Sequence, residues 1–150
     1  MRLHGRLPAL GLAVSVALSL ASCQTLGGSK GSPEDFIRLK EGLNADRGRL
    51  SMAISDNALD RVPEVMTSLT GRFDELWSKS AAMNLLDREH LAIQIASARK
   101  TITSINQWVS STDVDAVRSE VEKLNGILSE VDTLLDHTIR ATTADPSSGS

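Results

Sequence analysis

The chain has one cysteine, Cys23, in 150 residues. A single thiol cannot form an internal disulfide, so packing alone must hold the fold. Tyrosine is absent and aromatics make up 3% of the residues. That is poor material for a base-stacking platform or a sugar-binding face. There is no basic excess, because 16 Lys and Arg stand against 19 Asp and Glu. Nucleic-acid binding needs a basic patch, and this balance argues against it. The chain contains no Cys-x-x-Cys-His, no phosphate-cradling glycine loop and no His-Glu-x-x-His. No serine stands on the strand-to-helix turn that a nucleophile elbow needs. Histidine is scarce, and beyond residue 22 only His90 and His137 remain. The carboxylates fall mostly on outward faces, with no pair directed into a core, so catalysis is not expected.

The one long uncharged stretch is near the start. Met1 to Arg6 carries Arg2 and Arg6 and no acid, and Leu7 to Leu20 follows with mostly Leu, Ala and Val. A basic start, a short apolar core and small residues at its end make a secretory signal. The run is about 14 residues against the ~20 a spanning helix needs, and Pro8 and Gly11 weaken it further as a permanent helix.

Leu20-Ala21-Ser22-Cys23 closes this stretch. The tetrad resembles the lipobox of bacterial lipoprotein precursors: an aliphatic residue and two small ones before cysteine, directly after a signal core. The resemblance implies that residues 1–22 are a cleaved signal peptide. It also implies that the Cys23 sulfur takes a diacylglycerol and that the new amine is acylated. Each buried CH₂ contributes about 0.8 kcal/mol; one chain binds marginally and stable anchoring takes two. Gln24 follows Cys23, and in enterobacteria-like systems a residue other than Asp there goes with outer-membrane sorting. The implied location is the bacterial cell envelope, on the outer membrane facing the periplasm. Loss of Arg2 and Arg6 leaves 14 basic against 19 acidic residues, a mature charge of −5, so no electrostatic second hold on anionic lipid is expected.

Residues 23–31 read as the lipidated cysteine and a Gly/Ser-rich tether, with a typical reach of roughly 16 Å. Ser32-Pro33-Glu34-Asp35 then opens a helix, with a capping Ser, Pro at the first position and acids at the positive end of the dipole. Phe36, Leu39, Leu43, Leu50 and Ala53 follow at alternating three and four spacing. Asp46 occupies the vacant stripe position, either as a buried functional acid or as a partner of Arg47 or Arg49. Helix one is expected to end near Ala58 and helix two to begin near Pro63. Helix two carries Val62, Met66, Leu69, Phe73, Leu76, Ser80 and Met83 in one stripe, with Trp77 at its flank. Asp87 is the expected cap of helix three, with Leu86 and Leu91 at hydrophobic-staple positions. Leu91, Ile95, Ala98, Ile102, Ile105 and Val109 form its stripe. Thr112 is the expected cap of helix four, whose stripe is Val114, Val117, Val121, Leu124, Leu128, Val131 and Leu135. Ile127, Leu134 and Ile139 widen that stripe beyond a two-helix seam. The tail, residues 142–150, is small, polar and broken by Pro146, and reads as disordered.

Short links between four such helices predict an all-α, up-down-up-down four-helix bundle over residues 32–141. Pairing of two long hairpins between chains is the other arrangement the stripes allow, so the expected state is a monomer or a homodimer. Two surfaces stand out within that plan. Trp77 and Ile93 are expected side by side on helices two and three, where they would anchor a protein partner. Met83, His90 and His137 are expected at one bundle end. In helix count and length the plan is similar to cytochrome b562, where Met and His hold haem, which implies a haem- or metal-carrier alternative. The adaptor reading requires no cofactor beyond the lipid. Helical lipoproteins that serve as accessory subunits of envelope machines are similar in general plan.

Overall fold

The computed structural model describes residues 30–144; the expected signal segment, Cys23, the expected tether to residue 29 and the expected tail from 145 lie outside them. The described residues are all-helical. Four helices are present among them: α1 (Pro33–Ser55), α2 (Val62–Lys79), α3 (Leu85–Ser110) and α4 (Val114–Ala144). Each helix packs on the next and α1 also packs on α4, which closes the ring around one core. None of these helices is long and apolar enough to cross a membrane.

The apolar stripes become the core as their spacing requires. Phe36, Leu39, Leu50, Leu69, Phe73, Leu76, Leu91, Ile105, Val117, Leu124, Val131 and Leu135 are fully buried. Val109 and Val114, at the ends of their stripes, are only half-buried. Val65 joins the core beside Met66. Thr101 and Thr138 are buried polar positions whose hydroxyls donate to Ser97 O at 3.0 Å and Leu134 O at 2.9 Å. Such bonds let a threonine stand in an apolar face at little cost.

The helix ends depart from expectation, each for a local reason. Helix α1 opens as read, with a capping box between Ser32 and Asp35. It closes at Ser55, not Ala58, because Asn57 turns to a φ of 52° and the Ala58 N–H bonds back to Ala53 O at 2.8 Å. A short 3-10 turn over Leu59–Arg61 leads into α2. Helix α2 stops at Lys79, and Ser80–Ala82 tightens into a second 3-10 turn in which Ser80 Oγ donates to Trp77 O at 2.7 Å. Asp87 does not cap α3. Asn84 does, three residues earlier, in extended conformation and with its Oδ1 accepting from Asp87 N at 2.9 Å. With the cap moved, Leu86 leaves the staple position and is exposed while Leu91 is buried. Thr112 does not cap α4, because its φ is 56°; Asp113 Oδ1 takes the Ala116 N–H at 3.0 Å instead. Helix α4 continues through Thr142 and Thr143 to Ala144, so the first three residues of the expected tail are helical.

Gly31, expected as the end of a free tether, is buried against α2. Its N–H donates to Lys79 O at 3.4 Å. A Cβ there would lie 2.8 Å from the Phe36 ring and 2.9 Å from Lys79 Cβ, so only glycine permits the approach. By contrast, a Cβ at Gly48, Gly71 or Gly126 would meet nothing within 4 Å. Alanine at each of these helical positions is expected to stabilise the domain by about 1 kcal/mol. Urea unfolding of the three single variants checks this, and a lowered midpoint in any one would refute it for that position.

Ion pairs lace the helices together. Lys40 reaches Asp136 at 2.5 Å and Asp132 at 3.5 Å, and Arg38 pairs with Glu75. The Lys40 hydrogen bond holds the Asp136 carboxyl below its ordinary range. The Arg38 bond does the same for Glu75, and the Ser32 backbone N–H does so for Asp35. In the unfolded chain these carboxyls regain protons at about pH 4. The unfolded state therefore binds more protons in that range, and stability must fall with pH. Full stability is expected above about pH 4.5, with progressive loss below it. Lys40 is raised chiefly by its bond to Asp136, so its contribution is present below its ordinary value and fades as pH rises through the higher folded one. A Lys40→Met variant is expected to flatten the acid limb of a urea-midpoint profile. An unchanged limb would mean that Asp136 contributes nothing.

Candidate functional site

The outer face of α2 and α3 concentrates apolar groups that the fold leaves uncovered. Trp77 ends the exposed flank of α2 and is 41% exposed. The Arg88 guanidinium stands 5.1 Å over its ring, a cation–π contact that fixes the indole plane without burying it. Beside the ring lies a shallow hollow of about 160 Å³ walled by Ala92, Ile95, Ala96 and Arg99. Arg99 is held by Asp74 at 2.5 Å across the two helices. Small alanines at 92 and 96 leave the room for this hollow.

Ile93 is not one of its walls. A helix turns about 100° per residue, so the residue after Ala92 points away from α2 and into solvent. Ile93 is 61% exposed, and the α3 residues that wall the hollow beside Trp77 are Ala92, Ile95, Ala96 and Arg99. Leu85 and Leu86, the first two residues of α3, are 71% and 69% exposed. A cap at Asp87 would set Leu86 in a staple; the cap at Asn84 leaves both leucines free. The strong capping residue Asn84 was the available signal.

Met83, His90 and His137 stand near the α2–α3 connection but differ in burial. Met83 is buried, and His90 is exposed. His137 Nδ1 meets Asp87 Oδ2 at 2.5 Å, and that same oxygen accepts from Asn84 Nδ2 at 2.6 Å. A hollow of about 390 Å³ lies here, lined by Ala82, Met83, Asn84, Asp87, Thr138, Ala141 and Thr142. Neither histidine lines it. Among the described residues, no three His, Cys, Asp or Glu side chains are grouped to hold a metal ion.

Asp46 is the one fully buried acid among the described residues, 1% exposed. Its Oδ2 accepts from Arg72 Nε and Ser68 Oγ, both at 2.7 Å, and its Oδ1 accepts from Arg49 Nη1 at 3.1 Å. Arg47 instead bonds Asn125 at 3.2 Å. So the acid is paired, with Arg49 as one of its two named options and Arg72 as a partner not foreseen. Both oxygens are engaged, and among the described residues every buried side-chain nitrogen or oxygen has a partner.

Comparison with known families, curated proteins and solved structures finds no match for this chain.

Proposed function

We propose that this is a lipid-anchored accessory protein of a bacterial cell envelope, which binds another envelope component near the membrane and performs no catalysis. Residues 1–22 are its cleaved signal, Cys23 its lipid attachment point, and the outer membrane its location, facing the periplasm. The domain is an up-down-up-down bundle. That reading is supported by the cross-helix pairs Lys40–Asp136, Asn44–Asp132 and Arg47–Asn125, in which residue number falls along α4 as it rises along α1. Arg38–Glu75 and Arg49–Glu64 run the same way between α1 and α2.

The observation that carries the binding role is the uncovered apolar surface around Trp77 on a domain whose core is filled. Trp and Arg are favoured at interface hot spots, and here an indole with a fixed plane sits beside a hollow ready for a side chain. The test is recovery of partners from native membranes after mild crosslinking. The unmodified chain is expected to bring down one envelope complex. Trp77→Ala, which leaves the core intact, is expected to weaken that association at least roughly thirtyfold, the equivalent of a 2 kcal/mol hot spot. A folded Trp77→Ala protein that keeps every partner at full affinity would remove this surface from consideration.

A small-molecule, haem or metal carrier is the second reading, supported by the hollow beside Met83 and Asp87. It requires a ligand that copurifies and is lost in His137→Ala.

A further inference from the structure

We infer that the tip of the domain formed by the α2–α3 connection rests on the lipid bilayer, with Leu85 and Leu86 set into the headgroup boundary. This inference rests on the lipid-anchor reading above and adds an orientation to it.

Three observations meet at this tip. The first is where the tether enters. Gly31 is fastened to Lys79 O, at the end of α2, so the chain leading from Cys23 arrives beside the connection that carries the two leucines. Eight residues from Cys23 to Lys30 have a typical span of roughly 16 Å and an extended limit of about 28 Å. The anchored cysteine therefore stays near this tip, and the far ends of α1, α3 and α4, 23 to 31 residues long and so roughly 35–46 Å away, lie beyond that limit.

The second is the leucine pair itself. Leu85 and Leu86 are the most exposed large apolar side chains among the described residues. They occupy the first two positions of α3, where Asn84 already caps the helix. Neither is used by the core or by a staple, so the fold gives no reason for apolar residues there. Ala81, three residues before the cap, is exposed as well.

The third is charge. Among the described residues, the tip places the cations Lys30, Lys79, Arg88 and Arg140 against the acids Glu34, Asp35, Asp87 and Glu89, an even balance. The far end exposes Asp56, Asp60, Asp113 and Asp115 against Arg61 and Arg118. An anionic bilayer repels the second end and tolerates the first. Two leucines alone hold nothing to a membrane. A tether that keeps them at high effective concentration makes even weak insertion enough to set orientation.

The test uses the full lipid-modified chain in vesicles of phosphatidylethanolamine and phosphatidylglycerol. Cys23 is blocked by its thioether, so a nitroxide can be placed on Ala81→Cys at the tip or on Asp60→Cys at the far end. The tip label is expected to sit ~5–10 Å below the headgroup boundary, relaxed more by oxygen than by a water-soluble nickel chelate. The far label is expected to show the reverse. Leu85→Asp with Leu86→Asp, which touches no core contact, is expected to return the tip label to the aqueous pattern with flotation unchanged. Protein that floats while both labels read as aqueous overturns the orientation and leaves the anchor standing. A tip label shielded from both reagents, with spin–spin broadening, overturns it in favour of a second copy at the tip. Unmodified Cys23 and no flotation overturn both.

Discussion

Cys23→Ser is expected to move the protein from the membrane pellet to the soluble fraction, the largest effect any single substitution should have. On the proposed anchor, the serine variant can accept no thioether-linked diacylglycerol. So that an uncut signal does not hold the variant in the membrane, residues 1–22 are replaced by a signal with an A-x-A cleavage site, and the amine that cleavage frees is then not acylated. A single acyl chain holds a protein only with an association constant near 10⁴ M⁻¹, and each further chain adds about 0.8 kcal/mol per buried CH₂. Loss of all chains removes the attachment outright. The domain gives no compensating hold, because none of its described helices can span a bilayer and the mature charge is negative. Fractionation, the mass of the N-terminal peptide and labelled fatty-acid uptake together check this. Full retention of the serine variant in washed membranes, with no change in mass of the mature form, would show that the lipobox likeness misleads.

Arg72→Ala is expected to cost about 3 kcal/mol, because it strips the closest charged partner from a carboxylate that cannot reach water. For a domain of this size that is a fall of roughly 10–15 °C in melting temperature. Arg72 is itself 31% exposed, so the reverse deletion is milder. In Asp46→Asn the guanidinium can turn to solvent, and about 1 kcal/mol of loss is expected. Gly42 belongs to the same construction. A Cβ there would fall 2.1 Å from Arg72 Nη1 and 2.5 Å from Cζ. The guanidinium crosses α1 at a residue without a side chain to reach Asp46. Gly42→Ala therefore gains about 1 kcal/mol of helix propensity and loses more by displacing the arginine. Its sign should reverse when Arg72 is already alanine, where only the propensity gain is left. Urea unfolding of the two single variants and the double gives the coupling. A Gly42→Ala that stabilises both backgrounds would disprove the link.

These residues also show what could be read in the chain and what could not. The stripes are dense and regular, so the number of helices and nearly all core positions follow from periodicity. Asp46 was visible as an intruder, and Arg49 as one partner, because both sit on one helix. Arg72 lies 26 residues away on another helix; no local rule joins the two. Gly42 is the only local trace of that crossing, and by propensity alone a glycine there is merely a weak spot in the helix. Helix ends were less legible because several caps compete within four residues: Asn84 against Asp87, and Asp113 against Thr112. Backbone conformation chose between them, and sequence does not display it. Which α3 residues wall the hollow beside Trp77 is hidden for a related reason. Knowing that two helices are neighbours does not fix their rotation, and one residue of register separates a shared face from an outward one.

The Gly31 contact also determines how the domain bears a load. A pull delivered through residues 24–30 does not fall on the free end of α1 alone. It reaches the Gly31–Lys79 bond first and divides between α1 and α2, two segments far apart in the chain. Peeling α1 from the others would require that junction to part and the Phe36 ring packed behind it to be uncovered. On the proposed anchor, tension between the membrane and a bound partner passes through this junction before any helix unwinds.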